Sequence, residues 1–210
     1  MIQISIDDKP VVLNGSKPET VEQLISVIGQ QLFDNGRVIK QILVDGEDGT
    51  IDEFLLKKRD YCEVKIYSKD RNEDMVEELS LVIENKDYII NFMNQFSRDL
   101  LNGEWSSNAH NSNRLSHMTL TIVMLLNRTC DLMKDGNEEL LRNIKSLIHS
   151  FKVGTNLYTS AMSFKDTLSI SDVILEQLIP TVKQALDLFQ GPVKSYFDWV
   201  TSPNLDFPAS

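Results

Sequence analysis

The chain has 210 residues, of which 31 are acidic and 21 are basic, so its formal net charge is −10. Hydrophobic residues make up 41% of the chain and charged residues 25%, a composition typical of a globular protein with a sizeable core. The acidic balance argues against a nucleic-acid-binding protein, because such proteins present basic surface to the phosphates.

The charge is spread over the chain and is not concentrated in one tail. Residues 1–68 contain 8 basic and 12 acidic residues, a net charge of −4, and the remainder carries −6. Neither part is a basic arm or an acidic tail, so we expect the charges to form solvated surface.

The N-terminal segment and the apolar runs predict a cytoplasmic protein without membrane insertion. MIQISIDDKP has neither the basic nor the apolar region of a signal peptide. The longest apolar run, residues 122–126, is far shorter than the roughly 20 residues needed to cross a bilayer. The two cysteines, Cys62 and Cys130, are too few for a disulfide framework, and we expect both to be reduced and buried.

The first 68 residues combine strand and helix periodicity. Ile2, Ile4 and Ile6 alternate with polar residues, turn residues follow, and residues 11–13 are predicted to form a returning strand. A helical stripe then runs from Val21 to Leu32, with Thr20 at its start. Two further strands are predicted around residues 38–44 and 62–67, with a short helical turn at residues 51–56 between them.

This order of elements resembles the β-grasp, or ubiquitin-like, fold. The hairpin ISIDDKPVVLNG and the helix TVEQLISVIGQQL carry the resemblance, which is topological and covers about a third of the chain. It implies a binding role. It argues against the role of a sulfur carrier or conjugated modifier, because those members end in a flexible Gly-Gly tail whereas this chain continues into a helix.

Helical periodicity replaces the strand pattern from residue 69 onward. Four helices of roughly 25–30 residues are predicted, with a polar loop at residues 104–113 that has some helix at its end. Pro180 and Gly191-Pro192 are expected to bend or break the last helix. The sequence therefore predicts an α+β protein with two domains, a small β-grasp-like domain over residues 1–68 and an antiparallel four-helix bundle over residues 69–210.

The sequence shows no recognisable catalytic, cofactor-binding or metal-binding motif. His110, His117 and His149 lack the further ligands at short spacing that a zinc site needs. No phosphate-binding glycine loop or nucleophile elbow occurs. We therefore expect no catalytic residues, no cofactor and no metal, although an enzyme of another type would pair Cys130 or a histidine with a carboxylate.

Three aromatic residues are the predicted partner-binding residues: Trp105 in the polar segment, and Tyr196 and Trp199 near the C-terminal end. The favoured function is a bacterial-type, non-enzymatic adaptor or assembly factor that binds a protein partner, with a homodimer through the bundle as a hypothesis. The alternative is a carrier that holds an apolar small molecule inside the helical bundle.

Overall fold

The computed structural model describes residues 3–11, 20–48, 62–103, 105–133 and 137–202, with the backbone alone for residues 21, 22 and 105–107. The chain divides into two compact units, Met1–Asp74 and Met75–Ser210. The sequence places this division after residue 68. The fold class predicted from the sequence is confirmed, because a mixed five-stranded sheet is followed by a helical region.

The N-terminal unit begins with a tight hairpin. Strand β1 (Gln3–Ile6) pairs antiparallel with β2 (Lys9–Pro10), and the two residues between them, Asp7 and Asp8, have φ of 49° and 62°. Two consecutive positive φ values match the twist of the paired strands, and aspartate tolerates this conformation better than most residues. The predicted hairpin is therefore confirmed, with its second strand two residues earlier than expected.

Helix α1 (Val21–Asp34) follows, and its start is capped as the sequence predicts. The Thr20 hydroxyl accepts a hydrogen bond of 3.2 Å from the backbone N–H of Gln23, satisfying one of the free donors of the first turn. The predicted apolar stripe is buried on one face: Leu24, Ile25, Ile28 and Leu32. Gly36, with φ of +73°, then turns the chain into the next strand.

The remaining strands complete the sheet. Strand β3 (Arg37–Val44) forms a second hairpin with β4 (Glu47–Asp48), and β5 (Glu63–Asp70) lies between β1 and β3. The strand order is β2-β1-β5-β3-β4, with β5 parallel to β1 and antiparallel to β3. This arrangement, with α1 packed on the sheet, is the β-grasp-like topology predicted from the sequence.

Among the described residues of this unit, seven from α1, β3 and β5 form a buried apolar core: Leu24, Ile25, Ile28, Leu32, Ile42, Val64 and Ile66. At one end of the sheet, the Asp7 carboxylate accepts hydrogen bonds from the Ser68 backbone N–H (2.8 Å) and hydroxyl (2.6 Å), and from Arg37 (3.3 Å). The two Ser68 hydrogen bonds, followed by the charge of Arg37, lower the pKa of Asp7 below its usual value.

Two details of this unit differ from the prediction. The two-residue strand β4 was not expected, because an Asp/Gly-rich segment resembles a loop. Cys62 is exposed, not buried, because it precedes β5 and so lies outside the paired strand. The helical turn predicted at residues 51–56 lies outside the described residues.

The second unit is helical. The helices are α2 (Arg71–Glu84), α3 (Lys86–Asn102), α4 (Trp105–Leu132), α5 (Glu138–Ser163), α6 (Thr167–Val173), α7 (Ile179–Leu188) and α8 (Lys194–Thr201). Helix α2 follows β5 directly, because the Asp70 carboxylate caps it by accepting from the backbone N–H groups of Asn72 and Glu73. None of the described helices is both long and apolar enough to cross a membrane.

Two helix boundaries depart from the prediction. The first long helix is interrupted at Asn85, whose side chain donates a hydrogen bond of 2.8 Å to the Leu81 carbonyl. The polar segment expected as a loop is the first part of α4. In this segment Ser112 is buried and shares a hydrogen bond of 2.8 Å with the Tyr158 hydroxyl, which compensates for its loss of water.

The prolines in the last helical segment coincide with local widening of the helix. Single π-turns occupy Ile174–Leu178 and Phe189–Val193. Pro180 is the second residue after the first π-turn, and Pro192 lies within the second. Because proline lacks a backbone N–H and crowds the preceding turn, the wider hydrogen-bond spacing accommodates it without ending the helix.

A single apolar core fills the helical unit. Its largest fully buried side chains are Phe96, Phe151, Phe189 and Phe197. Polar contacts also join the helices: Ser97 and Ser171 share a buried hydrogen bond of 2.7 Å, and Arg128 pairs with Glu78 at 2.7 Å. These contacts link α3 to α6 and α4 to α2.

Candidate functional site

A pocket of about 390 Å³ lies between α4 and α5 in the helical unit. Its lining residues recur every three or four positions along each helix, so each helix contributes one face. The apolar lining residues are Leu115, Leu120, Val123, Ile148, Phe151 and Leu178. Leu115, Phe151 and Leu178 are buried, whereas Leu120 is 55% exposed, so the pocket extends from the core to the surface.

Gly154 brings the first π-turn close to α5. A Cβ atom at this position would lie 2.9 Å from the Leu178 Cδ2 atom, closer than ordinary van der Waals contact. The absence of a side chain therefore allows Leu178 to pack against α5 and to line the pocket. Small side chains on the facing side of α4, Ser116 and Thr119, do not fill the space that remains.

The polar lining residues are Ser116, Thr119, Lys152, Thr155, Asn156 and Tyr158. Thr119 is only 7% exposed, and the part of the structure that is described holds no hydrogen-bond partner for its hydroxyl. Thr119 therefore presents an unused donor and acceptor at the wall of an otherwise apolar pocket.

Tyr158 lies at one end of the pocket and is held in place by α4. Its hydroxyl shares a hydrogen bond of 2.8 Å with Ser112, whose hydroxyl also lies 3.3 Å from the Met162 sulfur. Burial raises the pKa of Tyr158, and the Ser112 hydrogen bond acts in the opposite direction. The phenol is therefore neutral at physiological pH, and it contributes a fixed ring to the pocket wall.

The structure places the predicted partner-binding aromatics elsewhere. Tyr196 and Trp199 lie on α8, with ring centroids 6.4 Å apart, and Trp199 is 40% exposed. Neither is among the described residues that line the pocket. Trp105 begins α4, and its side chain lies outside the described residues.

Metal or nucleophilic chemistry has little support among the described residues. Within them, no group of three or more His, Cys, Asp or Glu side chains is arranged to hold a metal ion. Cys130 is partly buried, and burial raises the pKa of its thiol, which disfavours the reactive thiolate.

Comparison with protein-family models, with curated proteins and with solved structures finds no match for this chain. The function therefore has to be argued from the geometry of the pocket and from the exposed surface.

Sequence reasoning did not find the pocket. On α4, the lining residues Ser116, Thr119 and Val123 lie one position after members of the predicted heptad stripe, although Leu115 belongs to that stripe. A usable signal exists in the small residues that face the seam, Ser116 and Thr119 on α4 and Gly154 and Thr155 on α5. Small residues on two neighbouring helices mark either close packing or unfilled space, and the periodicity alone does not distinguish these outcomes.

Proposed function

We propose that the helical unit binds a small apolar molecule in the pocket between α4 and α5, and that the protein is a non-enzymatic carrier. The volume and lining of the pocket are the observation that supports this proposal. Its volume of about 390 Å³ falls within the range of roughly 300–1,000 Å³ typical of small-molecule sites. Such sites also combine apolar walls with a few polar groups that orient the ligand, as this pocket does.

Packing energetics support the same proposal. Protein interiors are filled to the density of organic crystals, so an apolar space of this size beside the core leaves its walls without contacts. An apolar ligand would restore these contacts for Leu115, Phe151 and Leu178 and would remove Leu120 from water. Burial of about 100 Å² of apolar surface stabilises a complex by roughly 2.5 kcal/mol before the cost of association.

Filling the pocket with a side chain is expected to abolish binding. Thr119→Phe places an aromatic ring at a buried wall position, and its matched control, Thr121→Phe, places the same ring at an exposed position on α4 outside the pocket. The neutral fluorophore N-phenylnaphthylamine, titrated into each protein, reports binding by its fluorescence increase. We expect saturable binding to the unaltered chain and to Thr121→Phe, and at least about tenfold weaker binding to Thr119→Phe.

A second variant keeps this test decisive if Thr119→Phe does not fold, as judged by circular dichroism. Ser116→Phe introduces the ring at an exposed position of the pocket lining and so obstructs the opening without overfilling the core. Absence of saturable binding to the unaltered chain would refute the proposal. Equal affinity of the unaltered chain and a folded pocket variant would refute it as well.

Protein binding, the function favoured by the sequence, is the second candidate. The observation in its favour is the end of α8, where Trp199 and Val200 are 40% and 38% exposed beside the Tyr196 ring. Aromatic residues that are partly exposed in the free protein often become the anchors of interfaces. We infer that this surface would mediate association of two copies through their helical units.

Light scattering over a concentration series tests the second candidate. For association through α8, we expect the mass to rise from 24.0 kDa toward twice that value, and Trp199→Ala to keep the chain monomeric. Phe164→Ala, which also removes an exposed aromatic ring, is the control and should associate like the unaltered chain. A constant monomer mass at high concentration would exclude this dimer.

A cytosolic location also belongs to this proposal. Cys62 and Cys130 are both free thiols, and Cys62 is exposed. An exposed free thiol persists more readily in a reducing compartment than in an oxidising one.

A further inference from the structure

The charge around the pocket differs from that of the whole protein. Residues 105–130, in α4, and residues 140–164, in and just after α5, contain no aspartate or glutamate, although the chain has 31 acidic residues. The basic residues of these two segments are Arg114, Arg128, Arg142, Lys145 and Lys152. The segments of the two helices that border the pocket therefore carry basic but no acidic side chains, and the acidic residues of these helices, Asp131, Glu138 and Glu139, lie near their ends.

Two of these basic side chains already interact with other side chains of the protein. Arg128 pairs with Glu78 at 2.7 Å, and the Arg114 guanidinium lies 4.7 Å from the ring centroid of Phe92. Lys152 is different, because it lines the pocket and has no ion-pair partner among the described residues. No acidic side chain is among the described lining residues, so nothing in this lining neutralises the Lys152 ammonium.

Polar groups next to Lys152 extend the same site. Thr155 and Asn156, three and four residues further along α5, line the pocket and also lack hydrogen-bond partners among the described residues. Residues at this spacing lie on one face of a helix. On the facing helix, the Thr119 hydroxyl likewise has no partner in the described part of the chain and is available at the pocket wall.

We propose that the pocket takes an anionic amphiphile, a single alkyl chain bearing a carboxylate, with its head at Lys152 and its chain against Leu115, Phe151 and Leu178. The Lys152 ammonium attracts the carboxylate, and the Thr155 hydroxyl and the Asn156 amide supply neutral donors. This inference rests on the proposed function, because it assigns the ligand class of the same pocket.

Three ligands with ten-carbon alkyl chains and different head groups test the effect of head-group charge on affinity separately from the effect of apolar burial. Decanoate, decanol and decyltrimethylammonium, each below its micelle-forming concentration, compete with N-phenylnaphthylamine for the unaltered chain. We expect decanoate to bind about tenfold more tightly than decanol, because a charge-assisted contact adds to the same apolar burial. We expect decyltrimethylammonium to bind more weakly than decanol.

A matched pair of variants tests the assigned residue. Lys152→Met removes the charge and keeps most of the length of the side chain, whereas Lys145→Met removes the same charge two turns away on α5, outside the described lining. Lys152→Met is expected to weaken decanoate binding about tenfold and to leave decanol binding unchanged. Lys145→Met should change decanoate affinity by less than about twofold, because exposed charges at that distance are screened by salt.

The outcomes distinguish this inference from the proposed function. Equal affinities of decanoate and decanol, tighter binding of decyltrimethylammonium, or equal effects of the two lysine variants would overturn the anionic ligand class and leave the apolar pocket intact. Failure of N-phenylnaphthylamine and of all three decyl ligands to bind would overturn both.

Discussion

Replacing Ile28 with alanine is expected to unfold the N-terminal unit. Ile28 is fully buried in α1 and belongs to the apolar core formed by the described residues of this unit. Truncation of such a side chain costs about 2–5 kcal/mol, because it removes apolar burial and leaves a cavity. The unit spans only Met1–Asp74, and the core of a domain this short rarely contributes more than about 3–5 kcal/mol of net stability, so the loss is comparable to the whole.

Hydrogen exchange of the β5 amides measures this effect, because β5 is the central strand of the sheet. Val27→Ala is the control, since the neighbouring Val27 is 44% exposed and its truncation should cost less than about 0.5 kcal/mol. Both tryptophans lie in the helical unit, which has a separate core, so tryptophan fluorescence should change little in either variant. Native protection of β5 in Ile28→Ala would contradict the prediction.

Replacing Phe189 with alanine should produce a large loss of stability in the helical unit. Phe189 begins the second π-turn, and its side chain is fully buried. We expect the free energy of unfolding to fall by about 3–5 kcal/mol, the usual cost of removing a buried aromatic ring. Chemical denaturation followed by tryptophan fluorescence measures the change.

Phe164→Ala is the control, because it makes the same substitution at a surface position. Phe164 is 81% exposed, so Phe164→Ala should alter the free energy of unfolding by less than about 0.5 kcal/mol. Comparable losses in the two variants would show that the helical unit is not organised around the buried Phe189 ring. A small loss in Phe189→Ala alone would show that the core closes over the missing ring.

Local patterns in the sequence predicted the N-terminal unit well. Thr20 caps α1, the stripe from Leu24 to Leu32 is buried, and the Asp7-Asp8 turn forms the first hairpin. These features depend on residues close together in the chain, and their hydrogen-bonding and periodicity rules are strong. Cys62 was predicted incorrectly because burial in a strand depends on where the pairing begins, which alternation does not define.

The helical unit was predicted less completely, because contacts between distant residues decide its details. The segment at residues 105–113 is polar enough to resemble a loop, yet it is helical, with Ser112 buried against Tyr158 of α5. Tertiary packing overrides local propensity in this segment. Pro180 and Pro192 predict a bend or break, and the structure shows a π-turn next to the first proline and around the second.

The sequence by itself determined the α+β class, the hairpin and helix of the first unit and the helical character of the second, because binary patterning and turn chemistry act locally. Only the tertiary structure decided that Ser116, Thr119 and Lys152 line an unfilled pocket and that Gly154 leaves room for Leu178 beside it. Periodicity identifies which face of a helix is apolar. Whether that face meets a neighbour or leaves a space depends on side-chain volumes brought together from separate helices.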